Sequence, residues 1–225
     1  MKELNLKELL VPQARKAMRF SEYIEDVVGN PHDHLHTSSS LISAAIEHYG
    51  FDIVVRSGEP TISYNIFKDL FSNSINAVFG QEHCIKHIIE VIEAIDNEAG
   101  LNRGIVLVGP PASGKTNIVD LITRALEEYT KENELKLYSF FLRFQNGDET
   151  ALEIRSRFQH NPLLLIPVKL TKRDGSIIRP RQEMLDFLKR KHSKEEEELI
   201  IPNFFQNATL DRRTLDIIEA LVQNP

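Results

Sequence analysis

The sequence predicts an α/β layered fold organised around a phosphate-gripping turn. Three features carry that expectation: a compact β-branched run at residues 105–108, a glycine-bounded turn from Gly109 to Gly114, and a periodic apolar stretch at residues 115–129. A short, wholly apolar run is the profile of a buried parallel strand. Helix, strand, loop, helix and strand in that order describe a layered α/β domain.

Composition narrows the options. The chain has 225 residues, room for one large α/β domain or an ordinary domain with a helical appendage. We divide it into an N-terminal helical extension, residues 1–60, and a loop-bearing module, residues 61–225. Lys and Arg sum to 27 against 33 Asp and Glu, a net charge of −6, so a constitutive nucleic-acid binder is not expected. The one cysteine, Cys84, excludes an internal disulfide and a Cys-rich zinc module. Apolar runs fall far short of the roughly 20 residues of a membrane span, and the first residues are charged throughout. The expectation is a soluble, cytoplasmic protein without a membrane partner.

Taken in order, residues 1–28 read as helix, with Leu6, Leu9, Leu10, Ala14, Ala17 and Met18 at three- and four-residue steps, a break at Pro12 and an end at Gly29. The Thr37 to Ser40 cluster offers N-caps for a second helix that closes at Gly50. Residues 51–55 form a strand candidate and Ser57 to Pro60 a turn. Residues 64–71 give a mixed signal. Ile85, Ile88, Ile89, Ile92, Ile95 and Ala99 mark one face of a long helix stopped by Gly100. After the turn, Ile118, Ile122, Ala125 and Tyr129 keep helical register. Residues 137–144 suggest another strand, 152–158 a helix and 163–168 a strand interrupted by Pro167. Residues 184–191 and 210–222 read as helices, and the charge block at 189–198 as a solvated surface.

Gly109-Pro110-Pro111-Ala112-Ser113-Gly114-Lys115-Thr116 fits G-x-x-x-x-G-K-[ST] without mismatch. In the matching context a strand ends, the chain wraps back, and successive backbone N–H groups aim inward at an anion. The next helix adds unpaired N-terminal donors and partial positive charge. Lys115 is expected to meet the β- and γ-phosphates, Thr116 to ligate Mg²⁺, and Asn117 to lie near the α- and β-phosphates. The cofactors expected are ATP and Mg²⁺.

Upstream, Asn76-Ala77-Val78-Phe79-Gly80-Gln81-Glu82 precedes an apolar helix and resembles the segment that leads into AAA+ ATPase modules. That likeness places Val78, Phe79 and Gly80 in an adenine pocket. With His36-Thr37-Ser38-Ser39, Leu126 to Tyr129 and Asn161 to Pro167 in the same order, the chain resembles the PrkA-type serine protein kinases, whose N-terminal half is AAA+-like. The resemblance implies a P-loop NTPase (AAA+-like) three-layer module that couples nucleotide state to a distal effector region, and an ATPase or serine/threonine kinase activity in the intact protein. These relatives are cytoplasmic and linked to stress or sporulation.

Departures from that family are equally specific. No His-Arg-Asp or Asp-Phe-Gly stands in the sequence, so no eukaryotic-type kinase site can be assembled. No apolar strand after Lys115 ends in the acid that would hold Mg²⁺ and polarise water. The module is therefore expected to be the front part of a longer protein. The rival reading is a non-catalytic interaction or scaffold domain with a vestigial phosphate loop.

Weaker constellations remain. His32, His34 and His36 would share one face of an extended backbone, a set that suits zinc or nickel, against the commoner reading of capping or surface histidines. Cys84 reads as packing. Arg179, Arg181, Arg212 and Arg213 are candidates to reach the γ-phosphate of a neighbouring subunit, should the chain form a homo-oligomer.

Overall fold

Apolar stripes at helical spacing build most of the folded chain. The computed structural model describes residues 17–56, 58–96, 104–144, 152–172, 174–193 and 199–223. The readings for residues 1–16, for Ala99 and Gly100, and for residues 194–198 of the charge block lie outside these.

Helix α1 (Phe20–Gly29) buries Tyr23 and Val27, one turn apart. Helix α2 (Ser38–Tyr49) starts at Thr37, whose hydroxyl accepts from the Ser40 amide at 3.1 Å while Ser40 Oγ accepts from the Thr37 amide at 2.9 Å. This reciprocal pairing satisfies two orphan donors. The helix stops at Gly50, whose φ of +70° suits a residue without Cβ. Strands β1 (Phe51–Arg56) and β2 (Glu59–Tyr64) follow as an antiparallel hairpin, in register from Phe51 opposite Tyr64 to Arg56 opposite Glu59. A 3₁₀ turn, Asn65–Lys68, then buries Ile66 and Phe67.

Helix α3 (Glu82–Asp96) presents Ile85, Ile88, Ile89 and Ile92, and helix α4 (Lys115–Glu132) presents Ile118, Leu121 and Ala125. With Ile46, Ile66 and Phe67 these side chains form one core. A second core joins Tyr23 and Val27 of α1 to Leu163, to Leu185 and Leu188 of helix α5 (Pro180–Lys191), and to Phe205 of helix α6 (Asn203–Asn207). Helix α7 (Arg212–Gln223) closes the described chain.

The strands do not make the expected sheet. β1–β2, β3 (Phe141–Phe144) with β4 (Leu152–Arg155), and β5 (Leu170–Thr171) with β6 (Ile177–Ile178) are three separate antiparallel pairs. Residues 105–108 form no strand and pair with none among the described residues. Val106 and Val108 are 82 % and 90 % exposed, and only Leu107 leans on the first core. The P-loop NTPase (AAA+-like) three-layer architecture is therefore corrected to a small α/β chain of helices with isolated two-stranded ribbons. A central parallel strand needs a hydrogen-bonded neighbour on each side, and the runs read as those neighbours went elsewhere. Of residues 137–144 only 141–144 form a strand, and it turns back on β4, where a helix was expected. Residues 163–168 supply a 3₁₀ turn, Pro162–Leu165, instead of a strand.

Arg181, read as a cation for a neighbouring subunit, is buried instead. Its guanidinium donates to the carbonyls of Ile166 at 2.8 Å and Leu164 at 3.0 Å, and to that of Ala208. Desolvation lowers its pKa, and the three carbonyls tie the 3₁₀ turn and the loop after α6 to α5.

The two architectures differ in what a truncation costs. Ile89→Ala, at a fully buried position, should destabilise the chain by about 3 kcal/mol. Val106→Ala should stay within about 0.5 kcal/mol of the parent, as exposed substitutions do. Urea denaturation of both variants checks this, and a loss at Val106 matching that at Ile89 would restore the buried strand.

Candidate phosphate-binding loop

Residues 109–117 lead from that exposed segment into α4. Two residues of the turn take left-handed backbone, Ala112 at φ +59° and Gly114 at φ +77°. Left-handed residues within a turn are one ingredient of the backbone nests that hold anions. Among the described residues, none accepts a hydrogen bond from the amides of Ala112 to Asn117. Backbone donors of this kind must be met by water or a ligand.

Lys115 lies folded over the same turn. Its ammonium donates to Gly109 O at 2.9 Å, Pro110 O at 2.6 Å and Ser113 Oγ at 2.9 Å, which uses all three of its N–H bonds. Gly109 has little spare room, since a Cβ there would stand 3.1 Å from Ser113 Oγ and 3.8 Å from Lys115 Nζ. Pro110, Pro111 and Ala112 are exposed, as is Thr116 in the first turn of α4.

The structure brings Val78 to this turn, with its methyls 3.7 and 3.9 Å from where a Gly114 Cβ would sit. Asn117 Nδ2 donates to Asn76 O at 3.2 Å, so Asn117 reaches toward residues 76–80 as well as lying on the helix of Lys115. The Val78 amide donates to Phe67 O at 2.9 Å. Beyond Val78 lies a cleft of about 200 Å³, walled by Phe67, Val78, Phe79, Ile62, Tyr64 and Ile85. Phe79 is 69 % exposed and Gly80 turns at φ +72°. At the rim Arg56 donates to Glu82 Oε1 at 3.0 Å. Its own backbone amide, with Arg56 and the Gly80 amide, holds the Glu82 carboxyl below its usual range. The turn and the cleft thus meet across one side chain, Val78.

Sequence reading missed Asp69 and Arg124. Asp69 has a fully buried side chain, and its only sequence signal is an acid amid Ile66, Phe67, Leu70 and Phe71, inside the segment whose periodicity is mixed.

No family model matches the chain, and neither a curated protein nor a solved structure matches it. The resemblance to PrkA-type serine protein kinases, and the reading as an AAA+ module coupling nucleotide state to an effector region, are corrected on two grounds. No comparison supports them, and three separate antiparallel ribbons replace the parallel sheet that defines such modules. The Walker A and P-loop descriptions fall with that sheet. The G-x-x-x-x-G-K-[ST] string is present, but the strand that should precede it is not formed.

The histidine triplet does not converge on a metal; among the described residues no group of three His, Cys, Asp or Glu side chains does. His34 is buried, with Nε2 3.1 Å from Asp26 Oδ2, its ring stacked on Tyr138 and edge-on to Tyr23. Tyr138 donates to the same carboxylate oxygen at 3.3 Å, and Tyr23 donates to Asn161 Oδ1 at 3.0 Å. Cys84 is exposed instead of packed, and Arg212 pairs with Asp216 at 2.9 Å. Ser156, His160 and Asp211 also gather, yet Ser156 Oγ and Asp211 Oδ2 both approach Nδ1, at 3.0 and 3.9 Å. A relay needs opposite ring nitrogens; this is a turn clasp.

Acid should weaken the fold through His34. Burial lowers its pKa below 6.5 despite Asp26, and burial also lowers that of His36. The unfolded chain therefore takes up these protons first as pH falls, so stability is full above about pH 6.5 and is lost below it. One proton contributes at most about 1.4 kcal/mol per pH unit. Urea midpoints at pH 7.5, 6.5 and 5.5 should fall with pH in the parent and fall less steeply in His34→Gln; equal slopes would exclude His34 as the source.

Proposed function

We propose that residues 109–117 bind the polyphosphate of ATP together with Mg²⁺, as a loop carried on the N-terminus of α4. The observation that carries the reading is the run of amides from Ala112 to Asn117 with no described acceptor, folded by two left-handed residues. The residues fit the ligand. Backbone donors and the helix N-terminus suit an anion, and Lys115 is held ready over the same turn. On binding, its ammonium exchanges two neutral carbonyls and a hydroxyl for anionic oxygens, and charge-assisted hydrogen bonds are about twice as strong. Gly109 leaves the space in which that side chain swings.

Thr116 would offer its hydroxyl to Mg²⁺, whose charge would offset that of the phosphates. Val78, Phe79 and Gly80 flank the cleft that would receive the base, and an apolar wall with a few polar groups at its rim suits a purine face. A cytoplasmic setting agrees with this ligand and with a single exposed thiol. No helix among the described residues is long and apolar enough to cross a membrane.

A ligand at a hundred times its dissociation constant stabilises the folded state by about 2.7 kcal/mol. ATP with Mg²⁺ should therefore raise the melting temperature of the parent in a concentration-dependent way. Lys115→Ala should weaken calorimetric affinity at least about tenfold, the effect of losing about 1.4 kcal/mol. A melting temperature that stays flat across millimolar ATP in the parent would refute the reading.

A further inference from the structure

Asp69 holds a carboxylate where neither helix nor sheet calls for one. Its side chain is fully buried, its backbone is left-handed at φ +53°, and its Oδ1 has no hydrogen-bond partner among the described residues. Burying such a group without full pairing is costly, and what it does assemble is specific. Oδ2 accepts from the Asn76 amide at 2.9 Å. The Asp69 carbonyl accepts from the amides of Ser74 at 3.1 Å and Ser72 at 3.4 Å. The Arg124 guanidinium stands 3.7 Å from Oδ1 and donates to Ser72 Oγ.

Residues 69–76 are thereby drawn into a tight loop and tied to the middle of α4. The same loop delivers Asn76 O to Asn117 Nδ2, two residues past Lys115. It also delivers Val78 to the back of Gly114. The segment that walls the cleft is thus fixed to the helix that carries the turn at two heights, Asn117 and Arg124.

We propose that Asp69 is a positioning residue that sets the separation between the phosphate-binding turn and the cleft beside Phe79. It makes the site prefer a nucleoside triphosphate to a bare polyphosphate. This rests on the phosphate-binding reading and deepens it: the turn alone grips phosphate, and the Asp69 brace lets a base contribute. A ligand engaging both sites gains affinity from the second only if the span between them is held.

The test is calorimetry on the full chain with ATP–Mg²⁺ and with inorganic tripolyphosphate–Mg²⁺. In the parent, ATP should bind about tenfold tighter or more. In Asp69→Asn the two ligands should come within about threefold, through loss of ATP affinity alone, with tripolyphosphate unchanged. If Asp69→Asn does not fold, Arg124→Gln, which cuts the brace from the partly exposed helix side, should give the same convergence. A general loss of folding would weaken both ligands alike, so the ratio separates positioning from mere structure. Variants that keep the parental ratio, or a parent that binds both ligands equally, would overturn the role of Asp69 while leaving phosphate binding in place. A parent that binds neither would overturn the phosphate reading and this inference with it.

Discussion

A backbone amide has to be answered by something, and the six from Ala112 to Asn117 are answered by no described group of the protein. Nearly every other consequence at this site follows from that constraint. Four of the six, Gly114 to Asn117, are the orphan donors that any helix leaves at its N-terminus. The other two, Ala112 and Ser113, are added by the turn that precedes α4. Beside these donors the Lys115 ammonium rests on the carbonyls of Gly109 and Pro110 and on Ser113 Oγ.

Such a turn is not free to make. Ala112 sits at φ +59° and Asp69 at φ +53°, with Asn73 and Ser74 also in the left-handed region. Left-handed backbone costs a residue with a Cβ roughly 1–2 kcal/mol. These positions flank one site, on the turn and on the segment facing it, which matches the tendency of strain to gather where a ligand is handled. Elsewhere the left-handed region is taken by Gly50, Gly58 and Gly175, at little cost, and by Glu134 and Gln159, each in a turn away from this site.

What could be read from sequence was what depends on near neighbours. Ile85, Ile88, Ile89 and Ile92 announce α3 because helical burial repeats every three to four residues, and Thr37 with Ser40 announces the start of α2 because a cap is local. The turn string was legible for the same reason: every member of it lies within nine residues. Residues 105–108 failed because a strand is a property of its partners, and β-branched composition says nothing about which run will pair. Residues 152–158 suggest a helix in sequence, yet Glu153 pairs across the ribbon with Arg143 in β3–β4. Asp69 was invisible because its contacts with Asn76 and Arg124 span 7 and 55 positions, counted from 69 to 76 and from 69 to 124. No periodicity records such pairs.

The missing sheet changes what must hold the turn in shape. Where a strand leads into a phosphate turn, its neighbours in the sheet fix the incoming chain. Here that chain is an exposed segment without strand partners among the described residues, packed on the first core through Leu107. Rigidity has to come from the other side. Val78 fills the space behind Gly114, Asn117 reaches Asn76, and Arg124 with Asp69 keeps that segment from drifting along α4. The segment that would meet the base is therefore also the scaffold of the turn that would meet the phosphates, so the two halves of the site are mechanically one.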